Sequence, residues 1–299
     1  MSTIAVEHET SYDYEELVQQ AHHLAYLSPC NNFYQRVLSH QLEIDPTPDR
    51  HLVNADVFGN QRDFFSYHHP HQKLMVKSQC LVQTHGLSLE RALQDDLPWR
   101  ELKERLEYSA GKVYLPAGEH IYPSPYAPFV EEIQRYTREI FEETPLLIAA
   151  TRELCTRIHG DFEYSPAATE VDTPVSRAFR LRQGVCQDFA HIMIVGLRSM
   201  GLAARYVSGY LLTKPPPGQQ KLRGSDASHA WVSVYCPGVA DDWVEFDPTN
   251  DLVAGEGHVR LAYGRDFGDV SPLRGVIRGG GEHQLTIAVT AEESAESSF

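Results

Sequence analysis

Apolar and polar residues alternate along "IAVEHETSYDY" from Ile4 onward, the period of a strand with one buried face. The alternation returns, less cleanly, in "FYQRVLSHQLEID" and again in "HQKLMVKSQCLVQTH". Between these runs stand "DPTPD" and "FGNQRD", where Pro fixes φ and Gly59-Asn60 tolerates positive φ, so the chain is expected to turn there. "ELVQQAHHLAYL" reads equally as a helix or as a strand with a loop. Short strands at this spacing predict an antiparallel β-sandwich over residues 1–90.

The pattern then loosens. "LQDDLPWRELKERLEYSAG" is partly helical and "YLPAGEHIYPSPYAP" is rich in Pro and Tyr, so residues 91–127 read as a connector. From Pro128 the period changes to that of a helix: Phe129, Val130, Ile133, Tyr136, Ile140 and Phe141 fall on one side of "FVEEIQRYTREIF". In "TPLLIAATRELCTRIHGDF" the expected helix has Thr144 as N-cap, Pro145 at its first position and Gly160 at its end. "GVCQDFAHIMIVGLRSMGL" is apolar nearly all round and predicts a centrally buried helix stopped by Gly201. "AARYVSGYLLT", "HAWVSVYC" and "WVEFD" follow as strands, with "KPPPGQQKLRGSD" as an exposed loop and "PGVADD" as a turn. "HQLTIAVTA" is the last strand, after a "RGGG" break, so residues 128–290 read as a second, mixed domain and 291–299 as a disordered acidic tail. The fold class is therefore α+β, strands first.

Composition narrows the function classes. Forty-one acidic against 26 basic residues give a formal charge of −15, which argues against a grip on nucleic-acid phosphates or an anionic membrane. The first twenty residues lack the basic and apolar regions of a signal peptide, and no stretch is long and apolar enough to span a bilayer. Cys30, Cys80, Cys155, Cys186 and Cys236 are odd in number, scattered and without a CxxC pair, so neither a disulfide framework nor a zinc knuckle is expected. A cytoplasmic location is the expectation.

Against that background Cys186 stands out, because it opens the buried helix. Backbone N–H groups and the helix dipole favour an anion at an N-terminus, the setting in which a thiol is activated. His229 opens a strand and Asp247 ends the next. An imidazole can take and return a proton, and a carboxylate can fix its tautomer and orientation. Strand parity puts both on one face if the two strands pair antiparallel with an odd residue facing an odd one. If Ser233 faces Trp243, His229 lies directly opposite Asp247; if Tyr235 faces Trp243, the two are diagonal neighbours at about 7–8 Å between backbones. The other cysteines read as structural, His68, His69 and His71 as a loop cluster, and Asp188 and His191 as polar supports of the helix start or pocket.

These residues come with recognisable surroundings. "GVCQDFAH", "RYVSGYL", "HAWVSVY" and "WVEFDPTND" together resemble the transglutaminase-like superfamily of papain-type thiol enzymes. "DVFGNQRDFF" and "GRDFGDVSP" resemble its bacterial branch, in which a strand-rich N-terminal domain precedes the core. The resemblance implies a papain-like core with Cys186 as nucleophile, His229 as general acid and base, and Asp247 as orienting carboxylate. Trp231 would face the same side as His229 and either wall the site or fill the core. The animal transglutaminases carry a tryptophan upstream of the cysteine that holds the oxyanion; here the nearest upstream one is Trp99, in the connector. Tyr164, Gln187 and Asp188 are the remaining oxyanion or pocket candidates. No calcium loop of the DxDxDG type occurs, so neither metal nor cofactor is expected. The implied partner is a peptide or protein substrate. The implied activity is hydrolysis of an amide or peptide bond through a thioester, with acyl transfer to an amine as the alternative and a non-catalytic binding module as a third reading.

Overall fold

The computed structural model describes residues 1–111, 113–213, 224, 227–239 and 241–294. Its first element, β1 (Ser2–Ala25), is a single 24-residue strand. The undecided segment from Glu16 is therefore strand, with Val18, Ala21, His23 and Ala25 buried. Pairing on both sides decides this: Ala21 faces Tyr67 on one neighbour and Ile277 on the other. The strands β2 (Gln35–Asp45), β3 (Arg50–Ala55), β4 (Gln61–Tyr67) and β5 (His71–Thr84) complete the order β2-β5-β1-β4-β3. The β3–β4 turn uses Gly59 at φ 84°, the positive value its sequence predicts.

Two short helices, α1 (Leu89–Gln94) and α2 (Trp99–Leu106), and a 3-10 turn at Pro116–Ile121 cross to the second half. There α3 (Glu131–Glu143) buries Ile133, Tyr136, Ile140 and Phe141, while Phe129, outside the helix, is exposed. The next helix, α4 (Leu147–Asp161), begins later than Thr144 and runs past Gly160. Thr144 closes α3 instead, its N–H donating to Ile140. The cap of α4 comes from a distance: the Asp96 carboxylate accepts from the N–H groups of Ile148 (2.8 Å) and Ala149 (3.0 Å).

After β6 (Glu163–Tyr164), α5 (Val175–Leu181) and β7 (Gln183–Gly184), the chain enters α6 (Cys186–Ser199), buried from Asp188 to Arg198. Four strands, β8 (Ala204–Leu211), β9 (Ser228–Tyr235), β10 (Trp243–Asp247) and β11 (Leu252–Val253), join β12 (His258–Gly264) in an antiparallel sheet of order β11-β10-β9-β8-β12. Ala230, Val232, Val234, Val244 and Phe246 share one hydrophobic core with the apolar residues of α6. By strand alternation, His229, Trp231, Glu245 and Asp247 project from the opposite face.

The short α7 (Phe267–Val270) ends the core, and the chain then leaves it. Both β13 (Leu273–Gly279) and β14 (His283–Glu293) pair with β1 and belong to the N-terminal sheet, which is seven-stranded and curled. The core expected over 128–290 thus ends near residue 272, and Ala291, Glu292 and Glu293, expected in a disordered tail, are strand residues facing Val6, Ala5 and Ile4. Alternation along "HQLTIAVTA" specifies a strand but not its partner. Most of the loop "KPPPGQQKLRGSD" and residues 295–299 lie outside the described residues.

Two carboxamides fasten the halves together. Gln35 accepts from the Arg260 N–H (2.7 Å) and donates to the carbonyls of Arg260 (2.7 Å) and Cys30 (2.6 Å). Asn60 does the same to Tyr263, accepting its N–H (2.8 Å) and donating to its carbonyl (2.7 Å). Both side chains are buried, and both act on β12, the outermost strand of the core sheet. They satisfy backbone groups that an edge strand would otherwise leave to water or to another chain.

Candidate active site

Cys186 is the first residue of α6, half-buried and not in a disulfide. The helix start is built around Asp188, whose carboxylate accepts from the Val185 N–H (2.9 Å) and the Thr169 hydroxyl (2.7 Å). Burial raises the proton affinity of Asp188, and these two donors oppose that rise. Gly184 is needed for space: a Cβ there would stand 2.6 Å from the Asp188 carboxylate. Asp188 is thus a support of the helix mouth. Gln187 turns outward and donates to the Val171 carbonyl (2.9 Å), holding the segment between Tyr164 and α5. Its side-chain amide is engaged there.

Tyr235 faces Trp243 across β9 and β10, so His229 and Asp247 are diagonal neighbours rather than directly opposed. The diagonal suits a long side chain: His229 Nε2 lies 2.7 Å from Asp247 Oδ2. This leaves Nδ1 as the ring nitrogen free for the thiol, and Cys186 raises the affinity of the imidazole for a proton.

Asp247 is fully buried and surrounded by donors. Oδ2 accepts from His229, from Asn250 Nδ2 (2.7 Å) and from His258 Nε2 (3.1 Å). Oδ1 accepts from the N–H groups of Thr249 (3.0 Å) and Asn250 (3.2 Å), a side-chain-capped turn. Burial works against the ionised carboxylate, but the bonds from His229 and His258 outweigh it and hold Asp247 far below the usual carboxylate range. For His229 burial likewise opposes the charge. The bonds and charges of Asp247 and Cys186 overcome it and push the imidazole up to about 10.

His258 is the residue sequence reading missed. It starts β12, two strands beyond β9, and reaches Asp247 because the chain from β11 crosses the end of the sheet. Nothing in "GEGHVRLAYG" announces that crossing. Asn250, three residues after Asp247 in a turn sequence, was the more legible of the two. The Gly255 N–H donates to His258 Nδ1 (3.2 Å), which puts the His258 proton on Nε2, pointing at the carboxylate. Donor atoms of His229, Asp247 and His258 lie within 4.8 Å of one another, a spacing that could hold a metal ion. With His258 presenting N–H rather than a lone pair, the group is arranged as a hydrogen-bond cluster.

Trp231 lies beneath the two imidazoles. It is fully buried, and its ring stacks on His229 (5.8 Å, 30°) and meets the edge of His258 (5.0 Å). Its Nε1 donates to Glu245 (2.9 Å), which also accepts from Arg260 Nε (2.9 Å) and the Tyr263 hydroxyl (3.0 Å). The floor under the two imidazoles is therefore tied to β12, and through Gln35 and Asn60 to the N-terminal sheet. Tyr164 is about half exposed and pairs with Gly184, two residues before the cysteine. Burial and the charge of Cys186 raise its hydroxyl, which keeps its proton. His191 packs away from the site against Tyr126 and Tyr206 and accepts from the Phe267 N–H (3.2 Å). His69 bonds to Asp49 and His71 packs on Tyr67, both remote from the thiol.

A cysteine heading a buried helix, with a histidine and an aspartate on the adjoining antiparallel sheet, is the arrangement of the papain-like thiol enzymes. Comparison with known proteins narrows this. Residues 4–83 match the bacterial transglutaminase-like N-terminal region, and residues 134–248 match the transglutaminase-like superfamily. An uncharacterised protein of Mycobacterium tuberculosis is 36% identical over 287 residues, covering 94% of this chain and 89% of its own. One from Mycobacterium leprae is 32% identical over 297 residues, covering 97% and 98%. A protein-glutamine gamma-glutamyltransferase of Pseudomonas aeruginosa is 35% identical over 94 residues, 30% of this chain and 14% of that one. In fold, a candidate cysteine protease of Cytophaga hutchinsonii superposes with a TM-score of 0.73 at 18% identity, over 100% of this chain and 92% of that one. The chain belongs to the transglutaminase-like superfamily.

Proposed function

We propose that the protein is a thiol hydrolase that cleaves an amide or peptide bond through a thioester on Cys186. His229 carries the reading: its Nε2 is fixed by Asp247 at 2.7 Å, and the carboxylate and the thiol together raise its affinity for a proton. In the resting pair the thiol proton already sits on His229 as an imidazolium, and the Cys186 sulfur attacks the substrate carbonyl. The resulting oxyanion is held by the Cys186 backbone N–H at the helix mouth and by the Tyr164 hydroxyl. Collapse breaks the C–N bond as His229 gives its proton to the leaving amine. Water then adds to the thioester, losing a proton to His229, and breaking the C–S bond releases the acid and restores the thiolate–imidazolium pair. Asp247 keeps Nε2–H in place and balances the imidazolium throughout.

The second reading replaces water by an amine in the last half-reaction, which makes the protein a transglutaminase. The similarity to the Pseudomonas aeruginosa gamma-glutamyltransferase, over 94 residues, favours keeping it. The first test is the pH dependence of Cys186 alkylation by iodoacetamide, followed by peptide mapping, in the native protein and in His229→Ala. Cys186 is expected to react faster than the other four cysteines and to slow in the variant. If it reacts like an ordinary thiol in both, the catalytic reading fails and a binding module is left. Competition between water and a primary amine for an acylated Cys186 then separates the hydrolase from the transferase.

A further inference from the structure

A second cavity, of about 800 Å³, opens where three parts of the chain meet. The β3–β4 turn brings Phe58, the connector brings Tyr114 and His120, and the core sheet brings Arg205, Trp243 and Tyr263. It is separate from the catalytic centre. Trp243 begins β10 and Asp247 ends it, so along the strand the two lie about 13 Å apart at ~3.3 Å per residue.

One of its polar groups lacks the partner its burial calls for, and beside it stands a guanidinium held by aromatic rings. His120 is 7% exposed, its ring held between Phe58 (5.6 Å) and Trp243 (5.6 Å), and its Nδ1 has no hydrogen-bond partner among the described residues. Native structures seldom leave such a group unbonded without a bound species to serve it. Arg205 is clamped between the faces of Trp243 (3.9 Å) and Tyr263 (4.0 Å). Its Nε donates to the Ser233 hydroxyl (3.2 Å), and among the described residues it forms no ion pair. A guanidinium held flat between two rings presents its remaining N–H groups as a preset fork for a carboxylate.

The acidic groups nearby are mostly engaged. Asp269 pairs with Arg265 (2.9 Å), Glu119 accepts from the Tyr114 hydroxyl (2.6 Å), and Asp242 accepts from the Gly238 N–H (2.8 Å). Glu245 and Asp241 both act on Arg205 by charge, Asp241 from an exposed turn where water screens it. Glu245 is buried and already paired with Arg260, and the other acidic groups sit at the rim while the Arg205 cation sits among aromatic rings. That distribution fits a ligand whose carboxylate goes inward beside an aromatic or apolar body.

We propose that this cavity binds a small carboxylate carried on an aromatic body, with Arg205 gripping the carboxylate and His120 donating a further hydrogen bond. The site joins the N-terminal sheet, the connector and the core, so its occupant would brace the three against one another.

The test is a titration of full-length protein, ¹⁵N-labelled at histidine, with 3-phenylpropionate as probe, read from the ring nitrogens by NMR. Saturable shifts are expected at His120 and not at His229 or His258, with a Kd of about 1 mM for a ligand of this size. Arg205→Gln should weaken binding at least tenfold, and phenethylamine, which keeps the ring and lacks the carboxylate, should not bind. If Arg205→Gln does not fold, His120→Phe keeps the ring packing, and probe binding followed by calorimetry should weaken severalfold. No saturation at tenfold higher probe, equal binding of phenethylamine, shifts confined to His229 and His258, or undiminished binding in the variants would each overturn the proposal.

Discussion

Replacing Asp247 by Asn tests the electrostatics of the site without removing an atom of its outline. The carboxylate accepts five hydrogen bonds, three on Oδ2 and two on Oδ1. An amide offers one accepting oxygen and one donating nitrogen, so one side must face donors. In the better orientation the oxygen keeps His229, Asn250 and His258, and the NH₂ is set against the N–H groups of Thr249 and Asn250. Two buried backbone donors left unmet cost about 1–3 kcal/mol each, so the loss is on the order of 2–6 kcal/mol. A domain with about 5–15 kcal/mol of stability is weakened by this and still folds. For His229 the change is larger. Burial is the strongest influence on its ring, and of the two groups that lift it to about 10, Asp247 contributes more than Cys186. Without that charge burial prevails. Histidine ring NMR, with His229 assigned through His229→Gln, should show the native ring protonated to pH 9 and the Asp247→Asn ring neutral at neutral pH. Urea unfolding of the same samples gives the stability loss. A native His229 that titrates near 6.5, or one whose titration ignores the substitution, would refute the assignment of Asp247 as the group that charges the imidazole.

Other consequences are equally open to measurement. Gly184→Ala forces a Cβ against the Asp188 carboxylate at 2.6 Å, so Cys186 alkylation should slow and the melting temperature should fall. Tyr164→Phe should leave alkylation unchanged and lower kcat by about 10²-fold with little change in KM, the signature of a lost oxyanion donor. Gln35→Leu strips the Arg260 N–H of its partner and takes one from its carbonyl, which keeps the Cys30 N–H, and should cost about 1–3 kcal/mol in denaturant unfolding. In acid, burial holds His8, His23 and His191 at about 4 and His120 at about 3. The unfolded chain binds these protons from about pH 6.5 downward, so stability should fall steeply between pH 6.5 and 4 with uptake of several protons. In base the sign reverses at His229: its contribution is complete below about pH 6.5 and is lost as pH rises towards 10. Fluorescence-monitored unfolding across the pH range checks both limbs.

The parts of the site written locally were legible in the sequence. Cys186 could be placed because an apolar run with a polar mouth specifies a buried helix and its start. His229 and Asp247 could be placed on one face because alternation fixes parity. Parity does not fix offset, so the diagonal pairing of Tyr235 with Trp243 had to be seen. What escaped reading depends on contacts distant in sequence. Asp96 caps α4 from beyond α3, and this set the start of that helix at Leu147 rather than at Thr144. His258 reaches Asp247 across two strands, and Gln35 and Asn60 look like ordinary polar residues until β12 lies beside them. The same holds for β13 and β14, readable at best as strands and not as members of the first sheet.

That last feature sets an order of events during synthesis. Residues 4–14 of β1 have β5 as one neighbour within moments of translation, but their other neighbour, β14, emerges only after the whole transglutaminase-like core has been made. One side of the longest strand in the molecule stays bare through that interval, with its N–H and C=O groups open to any passing strand. Gln35 and Asn60, which steady β12 beneath the imidazoles, hang from this unfinished sheet. A chain halted before residue 283 would hold Cys186, His229 and Asp247 and still lack the frame that steadies the strand beneath them. Pairing of the last strand therefore closes the frame on which the site rests, and premature termination leaves a sticky edge in its place.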